Sequence, residues 1–453
     1  MVQLNYHVDL DWLMSKLPPE KANSLPTTVV HGWRQDEAHI IKEQVKAFQN
    51  VKLVFPSLPI QYGTHHTKAM LLFYNDDTMR VVIHTANLVS SDWRNKTQAV
   101  YTSPVLHKKR SPQLSSSPAE MSMFEKDLTD YFKAYGHQLS RFCELFKDYD
   151  FSECKAIIVA SVPGYHTGVN KKKWGHLRLR SVLEQHVVIP DECRDRSTVV
   201  CQFSSIGSLT TSDTWFREVF GASLSSAKNR RQCRDPTLKM VFPTVEDVKD
   251  SLEGWNSGGS IPFDHNNYMK QKAWMRNYLC KWRGIRSGRH RAAPHIKTYA
   301  RFTVNSAINN ADSEGSSVEI VDGSESDAIL AWFLVTSSNL SKAAWGDLQK
   351  KGEQLMVRSY ELGVLIWPEM FKTPEGENAY MLNATKTNLR PIPPSALVPQ
   401  ISPPLSSVTN VVPVRLPYDL PLTSYDFDAG DECWTWNVPR SEPDWLGNFW
   451  SGS

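Results

Sequence analysis

Two histidine–lysine pairs are the residues best suited to chemistry in this chain. His66-Thr-Lys68 sits in the run "GTHHTK", and His295-Ile-Lys297 in "PHIKTY". Each precedes an apolar run, and each is followed by a β-rich segment that closes on Asn-Leu, at Asn87 in "HTANL" and Asn339 in "TSSNL". A tryptophan stands six residues beyond each asparagine, Trp93 and Trp345. In an extended chain residues i and i+2 face the same side, so each pair projects an imidazole and an ammonium together. Two such sets facing each other assemble two His, two Lys and two Asn, which suits a phosphodiester. Lysines and amides neutralise the non-bridging oxygens as charge develops. One histidine attacks phosphorus while the other protonates the leaving oxygen, and both tasks fit a group that titrates near neutrality. No acidic cluster of hard-metal character accompanies them, so neither a divalent ion nor another cofactor is expected.

Zinc ligation by His65, His66 and His84 is the metal alternative. It is disfavoured because His65 and Thr67 point away from His66 and no cysteine joins them. His65 is expected to be a hydrogen-bonded structural histidine behind the site, and His84 the same.

The elements that must position these groups follow from the repeat. Each copy reads as strand, turn, strand, then a sharp exit at Asn, which implies two related α/β halves. Between them, residues 124–150 carry helical spacing of aromatics and leucines, and "KAIIVASVPG" (155–164) reads as the opening strand of the second half. The boundary is placed at Phe151–Cys154, giving domains 1–153 and 154–453. The segments 103–120, Asn305–Asp327 and 391–422 read as mobile surface.

Composition bounds the class. The 453 residues allow two or three domains, and 41% hydrophobic with 22% charged content is that of a soluble globular protein. No apolar run approaches the roughly 18 residues a membrane span needs, and no secretory leader is visible. The seven cysteines are scattered and never spaced C-x-x-C, which points to reduced thiols in the cytosol or nucleus. The net charge of +3 gives no global field, but basic runs at 170–180, 228–234 and 281–291 point to a phosphate-bearing ligand.

At these motifs the chain resembles the phospholipase D superfamily, with departures. Phe73 and Phe302 stand where that superfamily has an acid, and "HTAN" and "TSSN" replace Gly-Ser-x-Asn. Both departures match its tyrosyl-DNA phosphodiesterase branch, as do "QFSSIGSL", "VEDVKDSLEGW", "SYELG" and "WTWNVP". The resemblance implies two domains, each a mixed sheet flanked by helices, related by a pseudo-twofold axis through one shared site. It implies hydrolysis of the bond between a DNA 3′-phosphate and tyrosine, the remnant of a stalled type I topoisomerase, leaving a 3′-phosphate. His66 is then the nucleophile, and His295 is the acid that later activates water. Lys68, Lys297, Asn87 and Asn339 hold the phosphate, while Gln98 and Glu361 orient the histidines. A carboxylate beside the nucleophile and a neutral amide beside the acid make physical sense of that division. Ser204, Ser205 and Ser208 correspond to a cradle for the DNA backbone, Tyr62 to an aromatic at the DNA end, and Trp436 to the peptide side. The implied partners are DNA with 3′-tyrosyl or other 3′ adducts and a topoisomerase I-derived peptide, met by a monomer in the nucleus, with cytoplasm and mitochondrion also open. Two alternatives are a broader 3′-end phosphodiesterase or nucleosidase on RNA or small adducts, and a catalytically silent DNA-end-binding module.

Overall fold

The computed structural model describes residues 1–34, 37–109, 121–304, 328–372, 379–383 and 410–452. Strands form where β-branched and aromatic residues alternate or run together, and they collect into two large mixed sheets. The first has the order Val51–Val54, Thr27–His31, Val2–Asn5, Ala69–Phe73, Thr78–His84, Val100–Thr102. Its first three strands pair in parallel, and Ala69–Phe73 and Thr78–His84 join antiparallel.

The second sheet repeats that plan with Leu279–Cys280, Thr237–Val241, Thr198–Gln202, Thr298–Val304 and Ala328–Thr336, then adds Glu361–Ile366 and Ile157–Ser161. Again three strands are parallel and the next two antiparallel. The repeat expected from the two His-x-Lys copies is therefore a repeat of topology. In both halves the motif enters the fourth strand of this series and the asparagine leaves the fifth.

One hydrophobic core joins the sheets. Leu4, Leu71, Val81 and Ile83 of the first pack in the same cluster as Ile158, Ala300, Leu330 and Leu362 of the second. The helices Met123–Lys133 and Ser140–Phe146 add Phe124, Phe132, Phe142 and Phe146 to it. These two helices answer the aromatic spacing of 124–150, which is broken at Gly136, where φ is +63°. A left-handed φ is accessible to glycine without steric cost and ends the first helix there.

The outer face of the second sheet carries its own cluster beneath helices Gly175–His186 and His265–Met275. That of the first is covered by Leu10–Met14 and His39–Gln44. The result is two sheets flanked by helices, an α/β architecture.

The surface segments need correction where they are described. Residues 103–109 are tied down: Ser103 is buried and Leu106–His107 pairs with Thr78–Met79. In the proline-rich stretch, Asn410–Val414 forms a strand beside Ala379–Asn383, and Leu416, Tyr418 and Leu420 enter the shared core. Apolar residues between the prolines are what drive that burial. Residues 110–120, 305–327 and 391–409 lie outside the described residues. All seven cysteines are buried free thiols. Among the described residues, no helix is long and apolar enough to cross a membrane.

Candidate active site

Neither His-x-Lys lies inside a strand. Each occupies the extended arm just before one, Ala69–Phe73 or Thr298–Val304. The alternation of faces nevertheless holds. His65 donates and accepts behind the arm, with Nδ1 3.1 Å from Asn5 O and Nε2 3.0 Å from Tyr135 OH. Thr67 bonds Tyr131 OH on the same side. His66 and Lys68 face the other way, and Lys68 Nζ donates to His66 O at 3.0 Å. Lys297 likewise donates to His295 O. With both ring nitrogens engaged, His65 has no lone pair left for zinc. His84 is likewise buried, its ring against Trp93 and the Ala86 backbone, so it too is a structural histidine behind the site. Burial holds both rings neutral, with pKa values pushed down to about 3.

Each histidine is gripped by the opposite half of the chain. His66 comes from the first half, and its Nδ1 lies 3.0 Å from Glu361 Oε2 on the second. Glu361 also accepts from Ser337 Oγ at 2.5 Å, and the His66 N–H donates to Tyr360 O at 3.0 Å. His295 comes from the second half, and Gln98 of the first brings Nε2 and Oε1 within 3.1 and 3.3 Å of its Nδ1. The strand pair Lys96–Thr97 with Ala293–Pro294, and the bond from Ile296 N to Thr97 O, seat that loop.

The neutral-amide environment expected for His295 is incomplete. Asp92, in the helix Ser90–Arg94, places Oδ2 3.3 Å from the same Nδ1. Sequence reasoning missed Asp92, because an acid in a helix's first turn has an ordinary reason to be there.

The four cationic or titratable groups form one electrostatic unit. Burial lowers the His66 pKa, helped by the charges of Lys68 and Lys297 and opposed by Glu361. Burial, then Lys297, Lys68, Lys96 and His66, put His295 well below the ordinary histidine value. Lys68 is pushed down to about 8 by burial, against the pull of Glu361 and Asp92, and Lys297 falls well below its usual range for the same first reason plus Lys68. Burial works to raise Glu361, but His66, the Ser337 hydrogen bond and Lys68 outweigh it and hold its pKa below the usual value. Buried Glu361 and Asp92 offset part of this positive charge.

The asparagines complete the polar ring unequally. Asn339 Oδ1 accepts from Ser204 N–H at 3.1 Å and Ser204 Oγ at 3.3 Å, which leaves its Nδ2 to point elsewhere. Asn87 is held through its backbone, by Asp92 Oδ2 at 2.6 Å and Trp93 Nε1 at 2.8 Å, while its buried Oδ1 has no partner.

With that arrangement established, comparison with known proteins is decisive: residues 1–426 match the family model of tyrosyl-DNA phosphodiesterase. The chain belongs to the tyrosyl-DNA phosphodiesterase family. It is similar to tyrosyl-DNA phosphodiesterase 1 of Arabidopsis thaliana, at 37% identity over 98% of this chain and 70% of that protein. A probable tyrosyl-DNA phosphodiesterase of Caenorhabditis elegans is 35% identical over 82% of this chain and 77% of its own length. The crystal structure of the yeast tyrosyl-DNA phosphodiesterase superposes with a TM-score of 0.64 at 21% identity, over 96% of this chain and 92% of that one. That likeness supports the phospholipase D-like fold.

The remaining residues expected from the tyrosyl-DNA phosphodiesterase resemblance are placed unevenly. Tyr62 is 74% exposed in the turn leading to the motif, at a φ of +62°, a region that disfavours side chains. Of the serines, Ser204 is engaged with Asn339, Ser205 Oγ donates to Pro262 O at 2.6 Å, and only Ser208 is exposed. The first two hydroxyls therefore brace the site's own frame. Trp434 is core, stacked on Trp255, whereas Trp436 is partly buried at the edge of that cluster and accepts from Trp450 Nε1 through its carbonyl. Two cations of the 281–291 basic run are paired within the fold, Lys281 with Asp431 and Arg283 with Asp247.

Proposed function

We propose that this chain is a DNA-repair phosphodiesterase that hydrolyses 3′-phosphotyrosyl bonds through a phosphohistidine and leaves a 3′-phosphate. The observation that carries the reading is the exchanged grip on two histidines of one buried site, a carboxylate on His66 and an amide with a shared carboxylate on His295. His66 Nε2 attacks phosphorus as the P–O bond to tyrosine breaks. Glu361 stabilises the imidazolium that forms, and Lys68, Lys297, Asn87 and Asn339 balance the charge on the phosphoryl oxygens. The leaving phenolate takes a proton from Nε2 of His295. The same nitrogen then takes a proton from water as it attacks, the P–N bond breaks, and His66 is restored.

A bound phosphodiester monoanion favours the charged ring and adds negative charge beside the lysines. Tyr62 stacks on the DNA end, Ser208 faces the backbone, and Trp436 lies toward the peptide. The chain is read as a monomer acting in the nucleus, with its two catalytic units meeting near Phe151–Cys154.

Incubation with an oligonucleotide bearing a 3′-phosphotyrosine, in excess EDTA, tests this. Free tyrosine and a 3′-phosphate end are expected. No cleavage, or cleavage restored only by a divalent ion, refutes the mechanism. A matched RNA substrate decides the strand preference.

A further inference from the structure

Asp92 makes more contacts than a helix-capping acid needs. Its side chain is 1% exposed. Oδ2 accepts the Asn87 N–H at 2.6 Å and stands 3.3 Å from His295 Nδ1. Oδ1 accepts from Lys96 Nζ at 2.9 Å. Lys96 is itself 5% exposed, donates to Ser260 Oγ at 2.6 Å and lies 3.9 Å from Glu253 Oε2, both on the second half. One carboxylate thus touches the backbone of a phosphate-facing asparagine, the ring of the second histidine and a buried lysine.

Resting on the function proposed above, we propose that Asp92 is a positioning residue for His295. It holds the Nδ1 proton so that Nε2 alone exchanges protons with leaving group and water, and Lys96 sets how strongly it does so.

The amide of Gln98 does not settle the tautomer. Its Oε1 accepts from Thr85 Oγ1 at 2.7 Å and its Nε2 donates to Asp92 O at 3.2 Å, and both atoms lie near Nδ1. An amide offers either polarity, but a carboxylate is an acceptor only. A ring lone pair facing Oδ2 at 3.3 Å would be repelled, so Nδ1 carries the proton.

The charged groups around this ring are Lys297 from its own arm, Lys68 and His66 from the other motif with Glu361 behind His66, Asp92 from the helix Ser90–Arg94 and Lys96 just beyond it. Of these only Asp92 sets a carboxylate against the ring itself. Removing it leaves the ring among cations, where the second proton needed for the acid step is harder to hold. Removing Lys96 does the opposite.

Release of the leaving group in a single turnover, followed against pH, reads the first step without the water-activating one. Asp92→Asn is expected to move the alkaline limb toward acid by about one pH unit, and Lys96→Met to move it toward alkali, with Lys96→Arg restoring the wild-type profile. Unmoved limbs, or both variants moving the same way, overturn the proposal. Because Lys96→Met strands a buried carboxylate and can unfold, the imidazole 15N spectrum of the wild-type chain gives an independent reading, with His295→Asn assigning the signal. A proton on Nδ1 is expected. A bare Nδ1 overturns the proposal whatever the activity, whereas a wild-type chain that cannot cleave the tyrosyl oligonucleotide refutes the functional reading instead.

Discussion

Replacing Glu361 by glutamine removes one charge from the site while keeping the shape of the side chain. The carboxylate is 4% exposed and 3.0 Å from His66 Nδ1, so the cation that forms when Nε2 bonds phosphorus sits directly against it. At that separation and an effective dielectric of about 20, full Coulomb attraction is about 5 kcal/mol. Glutamine keeps a neutral hydrogen bond to Nδ1 and can still accept from Ser337, which recovers part of this. The expected loss is about 2–3 kcal/mol, a fall in kcat of roughly 30- to 150-fold.

KM should change much less, because the imidazolium exists only after attack. A second signature concerns Lys68, whose pKa of about 8 is held up by Glu361. Without that carboxylate the lysine loses its proton at lower pH, so the alkaline limb of kcat/KM should move toward acid. Steady-state rates with a 3′-phosphotyrosyl oligonucleotide, and then with a p-nitrophenyl leaving group, supply the assay. The better leaving group should not rescue Glu361→Gln, because the defect lies in the nucleophile. A loss below about threefold, a loss confined to KM, or rescue by nitrophenol refutes the reasoning.

His66→Ala should abolish turnover with both leaving groups, whereas His295→Asn should keep first-step activity on the nitrophenyl substrate and accumulate protein joined to the DNA 3′ end, seen on an alkaline denaturing gel and released by acid. The buried neutral histidines should make the fold acid-sensitive. His65 and His84 titrate near 3 in the native state and near 6.5 in the unfolded chain, so above about pH 6.5 they add no pH dependence, and stability falls as pH drops from there toward 3. Urea midpoints against pH should show that slope, and His84→Leu, which removes one of the two titrating rings, should flatten it. Gly63→Ala should destabilise by roughly 1–3 kcal/mol, measured by urea unfolding, because its Cβ would lie 2.2 Å from Arg358 O in the strip that seats His66.

The parts of this site legible in the sequence were those governed by local geometry. The i, i+2 rule placed His66 with Lys68 and His65 with Thr67 on opposite sides, although the motifs precede their strands instead of lying in them. The two copies announced the repeated sheet. What local pattern does not carry is the pairing across halves. Tyr360 O beside the His66 backbone N–H, and Ser260 beside Lys96, are brought together by docking of distant segments. Asp92 and Lys96 stand at i, i+4 and read as an ordinary surface ion pair. Only the packing of the second half over them removes the water and turns that pair toward His295. The internal partners of Ser204 and Ser205 were illegible for a related reason: serine hydroxyls look alike in sequence, and only the fold shows what each one bonds.

The exchanged grip on the two histidines bears on why the repeat resides in one chain. Were the halves identical copies related by a true twofold, any group that one lent to its neighbour's histidine would be lent back in kind, and both rings would share one environment. Such an assembly has two equivalent nucleophiles and no designated acid. Covalent linkage lifts the symmetry: Glu361 and the Asp92–Gln98 pair are free to differ because they are encoded at separate positions. The phosphoryl group then meets a site with a handedness of roles, in which one ring is built to become a cation and the other to trade a proton.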